Sequence, residues 1–130
     1  MIEVNNLTTN EVDQAFLKSL AKSVLERENK KIDISVVLVG QARIRGLNKR
    51  YRGENKATDV LSFQYDHSGE IVICLKEVKK NAKKFGSTLK KELARILIHG
   101  ILHILNYNHE KSVTAAETME KKQNYYLKNA

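Results

Sequence analysis

The chain has 130 residues, 42% of them hydrophobic and none of them proline, which fits one compact domain over 1–130 because a chain of this size buries about two-thirds of the surface it exposes unfolded. Its 23 Lys and Arg exceed its 15 Asp and Glu by eight, so a polyanionic partner is the economical expectation. A single cysteine, Cys74, excludes a disulfide scaffold, the acidic start MIEVNNLTTNEVDQAF lacks a signal-peptide core, and no apolar run reaches the ~18 residues a membrane span needs, so the expectation is a soluble cytoplasmic protein with no membrane partner.

Ile2 and Val4 alternate with polar neighbours and predict a short strand. Thr8 to Glu11 has capping-box spacing, and Val12, Ala15, Phe16, Leu20 and Val24 follow at helical intervals, which predicts an amphipathic helix over about 9–29. The β-branched run 32–39, IDISVVLV, reads as a strand covered on both faces. Residues 41–51 are helical through Ile44, Leu47 and Tyr51, and Gly53, Glu54 and Asn55 mark a loop. Strands at about 59–64 and 70–74 flank the turn formers Asp66, His67, Ser68 and Gly69, which predicts a hairpin with His67 in its turn. A helix follows over about 75–85 and ends at Gly86, another capped by Ser87 or Thr88 runs to about 105, and Thr114 to Glu117 repeats the capping-box spacing before a last helix through Tyr126. The expected class is α/β, in the α+β sense, with a small mixed sheet of about four strands packed with about five helices.

Three of the four histidines, His99, His103 and His109, fall within eleven residues. At 100° per residue, His99 and His103 lie about 40° apart on one face of the helix at 88–105, so both imidazoles can reach one ion. Leu89, Leu93, Leu97, Ile101 and Ile104 occupy the opposite face and Ile98, Leu102 and Leu105 much of the remainder, so this helix is expected to be buried. Two polar rings on a buried helix cost about 1–3 kcal/mol each unless satisfied, and coordination to a metal satisfies both. His109 is too far along a straight helix to join them. Asn106 supplies the break, since Asn is second only to Gly in tolerating a left-handed backbone. Three imidazoles with an open fourth position are the usual arrangement of a catalytic zinc. The spacing is that of metzincin peptidases, but Gly100 stands where their general-base Glu would be, so a peptidase would lack its proton acceptor. Gly100 costs a helix about 1 kcal/mol, which points to a close neighbour or to room beside the metal.

The segment HGILHILNYNH (99–109), with YRGENKATDVLSF (51–63) and GEIVIC (69–74), resembles the YbeY family of bacterial rRNA maturation factors. The resemblance spans roughly 44–127, including ETME (117–120). It implies an αβα-type fold, one Zn2+ per chain on His99, His103 and His109, and a functionally important arginine at Arg52. The implied activity is metal-dependent, single-strand-specific endoribonuclease cleavage in 16S rRNA 3′-end maturation and ribosome quality control. The implied partners are ribosomal RNA and the ribosome, and no DNA is expected. The chain departs from the family pattern in carrying Asn106 for Gly, Asn108 for Asp, Ala57 for Pro and Glu70 for Asp. Asn108 loses a negative charge that would orient a metal ligand. Two other readings stay open, a non-catalytic ribosome assembly factor with a fold-stabilising zinc and a metzincin-like hydrolase. Asp59, Ser62, Tyr125 and Tyr126 take the blander reading of local backbone partners and helix packing.

Overall fold

A computed structural model describes residues 1–107 and 112–130. Among these, four strands and five helices follow one another as β1 (Ile2–Asn6), α1 (Gln14–Arg27), β2 (Asp33–Val39), α2 (Gln41–Arg52), β3 (Val60–Gln64), β4 (Ser68–Cys74), α3 (Leu75–Lys84), α4 (Leu89–Ile104) and α5 (Val113–Lys128). The sheet order is β1-β2-β4-β3, with β1, β2 and β4 parallel and β3 antiparallel to β4. The mixed α/β expectation holds in class and in the number of strands and helices.

The alternation of β2 decides the layers. Ile34, Val36 and Leu38 turn into the larger core with Ile71 and Ile73 of β4, where α1, α3, α4 and α5 add Leu20, Val78, Leu97, Ile101 and Met119. Val39 turns the other way, joining Leu61, Val72 and Cys74 beneath Ile44 of α2. The sheet is therefore covered by helices on both faces, as parallel strands require. Helix α4 sits in the middle of the larger layer, touching β3, β4, α1, α3 and α5. Its Leu97, Ile98, Ile101 and Leu102 are fully buried, each contributing about 1.5–3 kcal/mol of apolar transfer. Two glycines let it lie this close. A Cβ on Gly69 of β4 would stand 2.6 Å from Ile104 Cδ1, and one on Gly100 would stand 3.1 Å from both Ile71 Cγ2 and Ser62 Oγ.

Two helix starts differ from the spacing argument. α1 begins at Gln14, because Asp13 takes the capping position and its carboxylate accepts the Phe16 N–H at 3.0 Å. Thr8 instead closes a turn after β1, its hydroxyl donating to Asn6 Oδ1 at 2.6 Å and accepting the Asn10 N–H at 3.2 Å. Likewise α5 is capped by Ser112, whose hydroxyl accepts the Ala115 N–H at 3.0 Å, and Thr114 lies inside the helix. Thr88 caps α4. Asn106 adopts φ 73°, the left-handed break expected of it. His67 lies in the β3–β4 turn, and Cys74 is fully buried at the end of β4.

Candidate functional site

Where α4 crosses the β3 edge, a cleft of about 640 Å³ opens, lined by Thr58 to Gln64, by His99, His103 and Ile104 of α4, and by Tyr51 and Arg52 at the end of α2. His99 and His103, one turn apart, turn their rings toward each other at a centroid distance of 4.7 Å and an angle of 73°. Both are half-buried, while Ile98, Ile101, Leu102 and Ile104 around them are buried. The helix thus spends its apolar faces on the core and presents this polar stripe to the cleft. His109 and Asn108 lie outside the described residues. Among the described residues no group of three His, Cys, Asp or Glu gathers, so the geometry in hand is that of the His99–His103 pair.

His99 Nδ1 lies 2.8 Å from Gln123 Oε1 on α5. An amide oxygen can only accept, which makes Nδ1 the protonated nitrogen and leaves the lone pair on Nε2, the tautomer a metal-binding imidazole takes. Two imidazoles a helical turn apart, one with its tautomer set by a neighbouring helix, are donors of the kind a zinc ion takes, and His99 and His103 are the two that could supply them. Asn106 contributes differently. Its Oδ1 accepts from Gln64 Nε2 at 3.0 Å, tying the break after α4 to the end of β3.

Arg52 closes α2, which stops because Gly53 takes the left-handed φ of 72°. Its side chain is exposed and lines the same cleft as the two histidines, so the structure brings three of the four sequence candidates together. The helix it ends carries Arg43, Arg45, Lys49, Arg50 and Arg52 and no carboxylate. Cations in a last helical turn also suit the helix dipole, which accounts for some of them. Arg43 and Arg45, nearer its start, gain nothing from that effect.

Other cleft residues were passed over in the sequence. Asp59 lines the cleft, yet its carboxylate is engaged by side chains and not by the local backbone, accepting from Asn81 Nδ2 of α3 at 3.1 Å and from Thr58 Oγ1 at 3.4 Å. Ser62 lines it beside Gly100. Tyr51 is 57% exposed, its ring edge-on to Phe63 at 5.2 Å with the Arg50 guanidinium 5.3 Å above it. Gln123 carried no signal, because its link to His99 joins helices 24 positions apart. Tyr126 follows the packing reading, whereas Tyr125 is 46% exposed, its ring edge-on to Tyr126. The Tyr125 hydroxyl accepts from Arg27, and Tyr126 is buried and donates to Glu28.

Residues 3–130 match the family described as Endoribonuclease YbeY. Relatives carrying that name include one from Sulfurihydrogenibium sp. (strain YO3AOP1), 39% identical over 84% of this chain and 78% of its own, and one from Thermotoga maritima, 37% identical over 85% and 76%. The solution structure of TM1509 from Thermotoga maritima superposes with a TM-score of 0.76 at 34% identity, covering 98% of this chain and 87% of that one.

Proposed function

The chain belongs to the Endoribonuclease YbeY family, and from that premise we propose that it is a zinc-dependent, single-strand-specific endoribonuclease of the cytoplasm. Its substrate in this reading is ribosomal RNA, cut in 16S 3′-end maturation and in ribosome quality control, with the ribosome as partner. The observation that carries the reading is the cleft shared by His99, His103 and Arg52, with Arg52 ending a helix of five cations and no carboxylate.

His99, His103 and His109 would hold one zinc, which when bound polarises a phosphoryl oxygen or lowers the pKa of a bound water to about 7. The remaining work falls to side chains of this chain. Arg52 offers a guanidinium fork that grips phosphate through two parallel bonds and offsets charge as the phosphodiester breaks. The cations of α2 hold the flanking phosphates. Gln123 keeps His99 in its required tautomer. At Gly100, where a peptidase would carry its glutamate, α4 packs directly against Ser62 and Ile71, so the helix has no carboxylate at that position to serve as a base for peptide hydrolysis.

Cleavage of an internally labelled single-stranded RNA tests the reading. Arg52→Ala is expected to lower kcat by about 10²-fold while KM changes little, the mark of an interaction made mainly in the transition state. Cleavage unchanged by Arg52→Ala would remove Arg52 from the chemistry. RNA cleavage that persists in His99→Ala would remove this cleft from it.

A further inference from the structure

β3 is the last strand of its sheet, and its outer edge forms the wall of the cleft. Which of its main-chain groups face outward follows from two hydrogen bonds. The Tyr65 N–H donates to the Ser68 carbonyl at 2.9 Å, and the Cys74 N–H donates to the Asp59 carbonyl at 2.9 Å. In the register that pairs Val60 with Ile73 and Gln64 with Gly69, antiparallel alternation then assigns Asp59, Leu61, Phe63 and Tyr65 to the ladder with β4. Val60, Ser62 and Gln64 turn both N–H and C=O away from β4, toward the cleft.

We infer that this outward edge of β3, centred on the main chain of Ser62, is a ledge that holds the Watson–Crick edge of an unpaired nucleobase beside His99 and His103. The inference rests on the RNA-cleaving reading above and says how the site selects single strands. One outward residue presents a donor and an acceptor side by side. That pair complements the acceptor and donor of a base edge, whereas a phosphate, which only accepts, would also meet the carbonyl. A base bonded in the plane of the sheet turns its two faces to the two sides of the sheet. Tyr51, packed edge-on to Phe63, flanks the α2 side, and the histidine pair flanks the α4 side. Stacking on an aromatic ring is worth about 1–3 kcal/mol per base and tolerates any base. An extended peptide can also add to a strand edge, but Arg52 in the cleft lining, at the end of a helix with four further cations, favours a polyanion. A duplex keeps its base edges paired and cannot use the ledge.

Proline at 62 separates these roles, because it deletes an N–H that points away from the ladder, and edge strands accept proline there. Binding of a short fluorescein-labelled single-stranded RNA, and of the same strand annealed to its complement, is followed by anisotropy with zinc added. Ser62→Ala measures the share of the hydroxyl. Ser62→Pro is expected to bind the single strand about tenfold more weakly than Ser62→Ala, with duplex binding equal in the two. Equal single-strand binding, or an equal loss for the duplex, overturns the ledge. Amide exchange on the unsubstituted protein gives an answer that does not depend on the variant folding. The single strand should slow exchange at Ser62 and Gln64. Protection there by an extended Thr/Val peptide and not by RNA would make the edge a peptide site and overturn the inference. Failure of the unsubstituted protein to bind or cleave any RNA would instead sink the reading beneath it.

Discussion

The bond between His99 Nδ1 and Gln123 Oε1 decides which imidazole nitrogen keeps a lone pair for a cation. Replacing Gln123 by Leu removes the acceptor and is expected to weaken zinc binding by about 10–100-fold in competition with a chromophoric chelator. Gln123→Glu, which keeps an acceptor, should stay close to the unsubstituted affinity. Zinc bound as tightly by Gln123→Leu would show that the ring is oriented by packing alone. The facing pair His99 and His103 was legible because i, i+4 spacing on a helix is a local fact, as was the break at Asn106. Gln123 was not, since it meets His99 only after α5 folds back across α4. Gly100 was half legible: its rarity in mid-helix announced a neighbour, and the fold identifies that neighbour as Ile71 and Ser62.

Among the elements, α1 and α5 are joined by Glu28, the residue that caps the end of α1. Its carboxylate accepts from Tyr107 at 2.7 Å, from Lys122 at 2.9 Å and from Tyr126. Burial alone would raise its pKa, but the bonds from Tyr126, Lys122 and Tyr107 outweigh that and hold it below the ordinary carboxylate value. Burial and the same carboxylate push the Tyr126 hydroxyl up to about 12. Glu28→Gln is expected to cost about 2 kcal/mol, read as a lower urea midpoint at unchanged m. Because the folded carboxyl binds its proton less readily than the unfolded one, its contribution is complete above the unfolded value of 4.5 and fades as pH falls through the lower folded value. The stability gap between the two proteins should therefore be constant near neutrality and close in acid. A gap that persists in strong acid would mean that shape, not charge, holds the joint. The helix starts show where local reading stopped. Thr8 and Thr114 had the right spacing, but Asp13 and Ser112 stand where the chain leaves its loops, and their oxygens reach the first N–H groups.

At the scale of the whole molecule, the excess of eight positive charges was visible in the composition, but its placement was not. The fold brings the end of α2, a helix with cations and no carboxylates, to the cleft. Strand order was equally hidden, since pairing β3 outside β4 is a long-range outcome, and only that order makes β3 an edge. RNA affinity should fall steeply with salt, and Arg43→Gln with Arg50→Gln should shallow the logarithmic slope by about one for each phosphate that is no longer neutralised. A flat dependence would contradict a charge-gathered substrate. The most direct test of the central claim is to titrate zinc into chelator-stripped protein while following cleavage of a single-stranded RNA in the same sample. The account predicts that activity rises in proportion to bound zinc, stops rising at about one ion per chain, and is absent from His103→Ala carried through the same titration. Full cleavage before any zinc is added, or an undiminished response in His103→Ala, would contradict it.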